Sequence, residues 1–423
     1  MDVRRLRGGL AAALGIFVLA CAPVGGPSAH PAHAAEKEDS ALSVRPEVGK
    51  PLNEAQALLR THKAKAALAK LAEIDAVKDK TGFETQVLEQ TRLIAASMAD
   101  DPAAAAKSYA VLEQTGLAPD KRATFLRAVA TAWFRAGKYP EAAAWTERVL
   151  DAGGTDPQIR AMLPMAYFQA KNYGAALKSA DAEIAAIERE TRKPAPESLY
   201  QIRLNGAAQV HDLAAYDAAL ERLAETYPQP RYLAMWLARA VREKGFSRRL
   251  DLDVLRLKAE IGEAGPDDLA ALVEGAMSAG LPGEAAAVAE AGFAKGSLGR
   301  GDGAARHSRL RDAAKKAADK DRRELDAAIA EARANPTGIG LVNTGIDVTG
   351  LGEAERGVAL IREGIARGGL SHPDEATLHL GIALIRADDR AKAAEALRPL
   401  ARSGAEGTQT LARIWLARLK LKD

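Results

Sequence analysis

The stretches AWFRAGKYPEAAAWTERVL (Ala132–Leu150) and AYFQAKNYGAALKSADAEI (Ala166–Ile184) decide how the chain is read. Laid over one another, they match Trp133 with Tyr167, Tyr139 with Tyr173 and Ala142 with Ala176, each pair 34 residues apart. Each stretch reads as the end of one helix, a tight turn and the start of a second helix. A small residue on the second helix lets the two approach closely, while an aromatic on the first fills the space beside it. One such hairpin cannot hide its apolar stripe alone, so neighbours must stack to bury it.

The small residue recurs outward from this pair. It is Ala67 in HKAKAALAKL, Ala104 in DDPAAAAKSYAVL and Ala219 in AAYDAALERL, then Ala285, Gly357 and Ala393 in the later segments. Intervals from Ala67 to Ala219 are 37, 38, 34 and 43, and the longest contains a turn at 191–196 with Pro194 and Pro196. HPDEATLHLGIALI (His372–Ile385) reads as the first helix of a late repeat, with Gly381 at its close-packing position. Eight hairpins are expected over most of 52–419.

An aromatic on helix one, a Gly-x-Tyr turn, an Ala on helix two and a period of 34 resemble the tetratricopeptide repeat (TPR) family. The resemblance implies an all-α protein, an α-solenoid of TPR-like helical hairpins, that binds partners and carries no catalytic site. Three features depart from the pattern. Pro164 stands in the middle of a first helix and is expected to kink it. Lys171 replaces the turn glycine, and 231–258 is helical but fits the repeat poorly.

Composition agrees with helices. Apolar residues are 48%, charged ones 27% and aromatics only 4%, so the chain lacks the aromatic richness of a β-sandwich and has the balance of a folded one. The net charge of +3 is no sign of a nucleic-acid partner. Arg4, Arg5 and Arg7 against Asp2 supply two of those charges within the first 35 residues, which leaves about one for the rest.

The start, MDVRRLRGGLAAALGIFVLA (Met1–Ala20), is a basic segment followed by an apolar stretch too short to span a bilayer, as in a secretory signal. Two processing routes are open. Val18-Leu19-Ala20-Cys21 resembles the lipobox of bacterial lipoproteins, and Cys21, the sole cysteine, would then be acylated and anchor the protein. Alternatively Ala32-His33-Ala34 is an A-x-A cleavage site that releases a protein beginning near Ala35. Either route implies export, to the periplasm or to the outer membrane as a lipoprotein.

The repeat lapses at GSLGRGDG (Gly296–Gly303), read as a flexible break. It is followed by a highly charged helix at 305–334, read as a solvated spacer with opposite charges in pairing range. The expected organisation is a signal peptide and possible tether at 1–35, an N-terminal solenoid at 46–294, the break and charged helix at 295–336, and C-terminal repeats at 337–423.

Chemistry is absent by motif. The chain has no G-x-S-x-G, H-E-x-x-H or phosphate-binding lysine loop. The seven histidines are scattered, and GIGLVNTG (Gly338–Gly345) reads as the start of a repeat. Asp and Glu are read as solvating charges with ordinary pKa values. No cofactor and no metal are expected. The TPR resemblance implies that first helices line a groove for peptides. It nominates Thr124, Arg127, Thr131, Phe134 and Arg135, then Gln158, Ala161, Met165, Phe168 and Gln169, then Gln201, Leu204 and His211. The expected partners are protein or peptide segments of the cell envelope, with no nucleic acid and no membrane contact beyond a lipid on Cys21. The leading function is a scaffold or adaptor; the alternatives are an envelope chaperone or assembly factor and, less favoured, a peptidoglycan-lytic enzyme.

Overall fold

The computed structural model describes residues 43–405 and 407–421, so Cys21, the Ala32–Ala34 site and the expected signal and tether lie outside the described residues. Within these bounds the chain forms twenty α-helices and two short 3₁₀ segments, and no strand. It divides into two compact units. One holds the described residues through Ala99 together with Ala104–Leu117; the other holds Asp100–Ala103 and the chain from Ala118 onward.

The first unit contains α1 (Pro46–Arg60), α2 (Ala64–Glu73), α3 (Gly82–Met98) and most of α4 (Pro102–Gln114). Val48, Leu52, Leu59, Leu71, Ile74 and Leu88 form its core. Helix α3 opens with a capping box: Thr81 Oγ1 accepts from the Glu84 N–H at 3.1 Å, and Glu84 Oε2 accepts from the Thr81 N–H at 2.9 Å.

The second unit begins with the hairpins α5 (Pro119–Arg135)/α6 (Tyr139–Asp151), α7 (Pro157–Gln169)/α8 (Tyr173–Thr191) and α9 (Glu197–Gln209)/α10 (Leu213–Thr226). Helices α11 (Pro230–Ala240) and α12 (Asp251–Glu260) follow, then α13 (Pro266–Ser278)/α14 (Pro282–Ala294) and the long α15 (Ala304–Ala334). The hairpins α16 (Ile339–Gly350)/α17 (Ala354–Arg367) and α18 (Pro373–Arg386)/α19 (Arg390–Ser403) and a last helix, α20 (Thr408–Arg418), complete it. Helix α7 runs through Pro164 without a break in its assignment.

Seven hairpins turn in the same way. The first helix ends in a left-handed residue (His62, Gly137, Lys171, His211, Gly280, Gly352 or Asp388; φ 56 to 96°). The next N–H then reaches back five positions, as from Lys138 to the Trp133 carbonyl at 3.0 Å and from Asn172 to Tyr167 at 2.9 Å. This satisfies carbonyls that a helix end leaves orphaned. Lys171 therefore takes the glycine's conformation as well as its place.

These turns fix the repeat frame. Five positions beyond each stand Ala67, Ala142, Ala176, Ala285, Gly357 and Ala393, all buried as the sequence implies. Two expectations need correction. After the left-handed Asp100 the buried small residue is Ala105, fully buried, while Ala104 is only half-buried. After His211 the position belongs to Tyr216, so the repeat from Lys171 to His211 measures 40 residues rather than the 43 taken from Ala219.

Two further expectations change. The segment Gly296–Gly303 is packed rather than loose: Leu298 is buried, and the Gly299 N–H donates to His307 Nδ1 at 3.3 Å. Helix α15 is a built-in element and not a free spacer. Ala314, Ala318, Leu325, Ile329 and Ala332 bury one face against α13, α14 and α16, while Asp319–Arg322 and Lys320–Glu324 pair on its exposed side.

The second unit closes on itself. Helix α20 packs against α10, α11 and α12. Accordingly Leu378, Ile382, Leu397, Leu411, Ile414 and Trp415 share one hydrophobic core with Leu199, Leu220, Leu233, Trp236 and Leu257. The stretch 231–258, which fits the repeat poorly, is where the chain's end comes to rest.

Candidate binding face

The turn frame tests which first-helix positions correspond. Thr124, Arg127, Thr131, Phe134 and Arg135 on α5 stand 34 residues before Gln158, Ala161, Met165, Phe168 and Gln169 on α7, and all ten are half-buried or exposed. Along each helix these offsets keep to one side, so each set forms a stripe. The nominated α9 residues do not continue the stripe as read. In the 40-residue frame its members are Ser198, Gln201, Asn205, Ala208 and Gln209. Leu204 corresponds to the buried Pro164 and is itself only 4% exposed, in the core. His211 is the left-handed turn residue, exposed beyond the end of α9. Val210 and Leu213 flank it, and Leu213 is 64% exposed, the most exposed large apolar side chain among the described residues.

The nominated side chains differ in how far they are free. Arg127 Nη1 donates to Asp156 Oδ2 at 2.7 Å, and Asp156 also caps α7 by accepting the Gln158 N–H at 2.9 Å. That carboxyl is held below its usual range by these donors against the cost of burial. Arg135 Nε lies 3.0 Å from Asp100 Oδ1. Thr131 Oγ1 donates to its own helix at Arg127 O, and Gln201 Nε2 donates to Glu197 Oε1 and to Tyr232 Oη. Phe134 rests edge-on to Tyr139 at 5.5 Å between ring centres, and Phe168 repeats this with Tyr173 at 5.4 Å. The phenylalanines are thus fixed in place while remaining partly open. Gln158, Gln169 and Asn205 face solvent.

Sequence reasoning missed a buried charge cluster on the inner side of the closed region. Arg256 on α12 is almost wholly buried and reaches three elements. Its Nη2 donates to Glu284 Oε2 at 2.6 Å and its Nη1 to Asp253 Oδ1 at 2.7 Å. His379 Nε2 on α18 lies 3.0 Å from the same Asp253 oxygen, and Arg386 Nη2 donates to Glu284 Oε1 at 2.5 Å. Burial opposes ionisation here, but the facing cations outweigh it, holding Glu284 down to about 2 and Asp253 well below the usual carboxylate range. Asp347 is the opposite case. Burial, with Asp321 and Glu284 nearby, pushes it up to about 6 although it accepts the Gly283 N–H at 3.0 Å. The expectation that no carboxylate has a shifted pKa is therefore corrected. Apart from Asp253 and Arg256, three residues apart on α12, the partners are 28 to 126 residues apart, so spacing alone could not show the cluster.

The consequence for binding is geometric. Glu375, His379 and Arg386 lie along first helix α18 and are engaged with Arg249, Asp253 and Glu284. Those three side chains are therefore engaged within the protein. The α5, α7 and α9 stripes remain open. No group of three or more metal-ligating side chains is found among the described residues.

These hairpins and their shared turn define a helical-repeat protein of TPR-like build. No protein-family model matches the chain, and no curated protein matches it. Among solved structures, Naa15/Naa10 bound to HypK-THB is similar at 13% identity and TM-score 0.29, over 90% of this chain and 64% of that one, so this chain spans less than two thirds of its length. The P58(IPK) TPR domain is similar at 11% identity and TM-score 0.21, over 87% of this chain and 98% of that one. Yeast Tom70 is similar at 11% identity and TM-score 0.23, over 91% of this chain and 96% of that one. Scores this low carry no inference for the chain, whose class rests on its own turns and contacts.

Proposed function

We propose that the protein is a scaffold or adaptor of the bacterial cell envelope, exported by its N-terminal signal and holding peptide segments of partner proteins along the first-helix stripes of α5, α7 and α9. The observation that carries this reading is the open, in-register pair Phe134/Phe168, each braced by a tyrosine and flanked by Arg135 or Gln169. Rigid aromatics beside Arg and Gln suit peptide recognition, since the rings contribute contact area at little entropic cost and the polar groups set register. Export rests on the basic and apolar start alone, with acylated Cys21 and a free end near Ala35 as its two forms.

A photo-crosslinking residue at Gln158, introduced in the native host, should trap a defined partner. That adduct should be lost when Phe134 and Phe168 are both changed to Ser. An adduct pattern indifferent to those changes would remove the stripes from the function. Mass analysis of the mature N-terminus decides between acylated Cys21 and Ala35, and an unprocessed Met1 would remove export.

A further inference from the structure

A cleft of about 800 Å³ opens between the C-terminal end of α10, the length of α19 and the end of α20, away from the first-helix stripes. Its walls carry Arg222, Arg390, Arg398, Arg402, Arg413 and Lys420 against a single acid, Glu225. Of these, Arg222 pairs with Glu188, and Arg413 with Glu221 and Glu225.

The cations are not equivalent. Arg413 bridges Glu221 and Glu225, both at 2.9 Å, and lies over the Trp236 ring, so it is a fixed part of the back wall. Arg390 donates to the Leu419 carbonyl at 2.7 Å and Lys420 to the Glu225 carbonyl at 2.8 Å, which holds both side chains along the cleft. Arg398 and Arg402 are exposed, and among the described residues neither side chain makes a hydrogen bond or ion pair. Arg390, Ala394, Arg398 and Arg402 succeed one another every four residues, hence on one face of α19.

We infer that this cleft is a docking site for an extended acidic peptide segment of a partner protein, read chiefly by Arg398 and Arg402. Four helical residues advance about 6 Å, and alternate residues of an extended strand about 6.6 Å, so acids at every second position meet the two guanidinium groups in step. Ala391, Ala394 and Ala401 keep the floor shallow enough for a backbone to lie close. The cleft's lining includes no aromatic side chain, which single-stranded nucleic acid would want for stacking. Its concavity also keeps a flat bilayer from the inner cations.

Fluorescence anisotropy with a labelled peptide alternating Glu and Ser tests this on the whole protein. Saturable binding is expected, weakened by rising salt and by at least about tenfold in Arg398→Glu/Arg402→Glu, a loss of about 1.4 kcal/mol. Melting by circular dichroism should be unchanged in that variant, because neither side chain has a partner to lose. Arg323→Glu on α15 should bind as the parent does. Equal binding of a Lys–Ser peptide, binding unaffected by the double change, or preference for oligo-dT or anionic vesicles over the peptide would each overturn the assignment. Crosslinking through Gln158 reads a different face, so either site can fail without the other.

Discussion

Lys171 holds a backbone conformation that suits glycine, with φ 61° where the equivalent Gly137 has 70°. A side chain in the left-handed region costs about 1 kcal/mol, and glycine escapes that cost. Lys171→Gly should therefore stabilise the protein by about 0.5–1 kcal/mol in urea unfolding, even though it removes a good helix former at a helix boundary. Asp347 is a second residue whose cost can be read locally. Its carboxyl is raised from 3.8 to about 6, so the folded state binds a proton more tightly than the unfolded chain. The ionised side chain therefore penalises folding fully above pH 6, and the penalty fades as pH falls towards 3.8. Asp347→Asn keeps an oxygen for the Gly283 N–H and should raise stability at pH 7.5 by about 1–3 kcal/mol, with the gain shrinking towards pH 4. Thermal melts of both proteins across that range check the sign; a gain independent of pH would refute the assignment.

At the scale of the element, α16 and α17 show what glycine does besides turning the chain. A Cβ on Gly357 would lie 2.1 Å from Thr349 Oγ1 and 2.5 Å from the Gly345 carbonyl, and one on Gly338 would lie 1.8 Å from the Gly364 carbonyl. The two helices thus meet backbone to backbone through glycines spaced seven apart on each, Gly338/Gly345 and Gly357/Gly364. Gly357→Ala should cost about 1–3 kcal/mol by overpacking, measured in denaturant, although alanine is the better helix former. The start of this hairpin at Gly338–Gly345 was legible, but the purpose of its glycines was not, since close approach depends on which faces meet. Helix α15 teaches the complementary lesson. Its charges suggested a spacer, yet Ala314, Ala318, Leu325, Ile329 and Ala332 follow a helical stripe. That pattern was readable and was overshadowed by charge. The register of α9 slipped for a different reason: several alanines compete near 214–219, and only the left-handed His211 fixes which position faces inward.

The whole second unit depends on a contact the sequence does not announce, the return of α20 to α10, α11 and α12. Repeat periodicity describes neighbours along the chain, and closure joins elements some 190 residues apart, as in the Arg413–Glu225 pair. Poor repeat fit at 231–258 was the one visible trace of it. Two perturbations separate the apolar contact of α20 from the ionic links that join α12 to α14 and α18. Trp415 is 2% exposed in the shared core, and Trp415→Ala should cost about 3–5 kcal/mol. Hydrogen exchange should then quicken in α11 as well as in α20, because each loses the other's cover; exchange confined to α20 would mean that the end of the chain is only an appendage. The buried cluster adds a pH dependence of definite sign. Glu284 is lowered from 4.5 to about 2 by Arg256 and Arg386, so its stabilisation is complete above about pH 4.5 and is lost as the pH falls towards 2. Glu284→Gln takes the carboxylate from Arg386 and leaves buried Arg256 with Asp253 alone, and should cost about 3 kcal/mol at pH 7, the lower end for breaking a buried pair. The acid-induced loss between pH 5 and 3 should be shallower in that variant than in the parent. Parallel acid curves would show that Glu284 contributes no pH-dependent stability to the second unit.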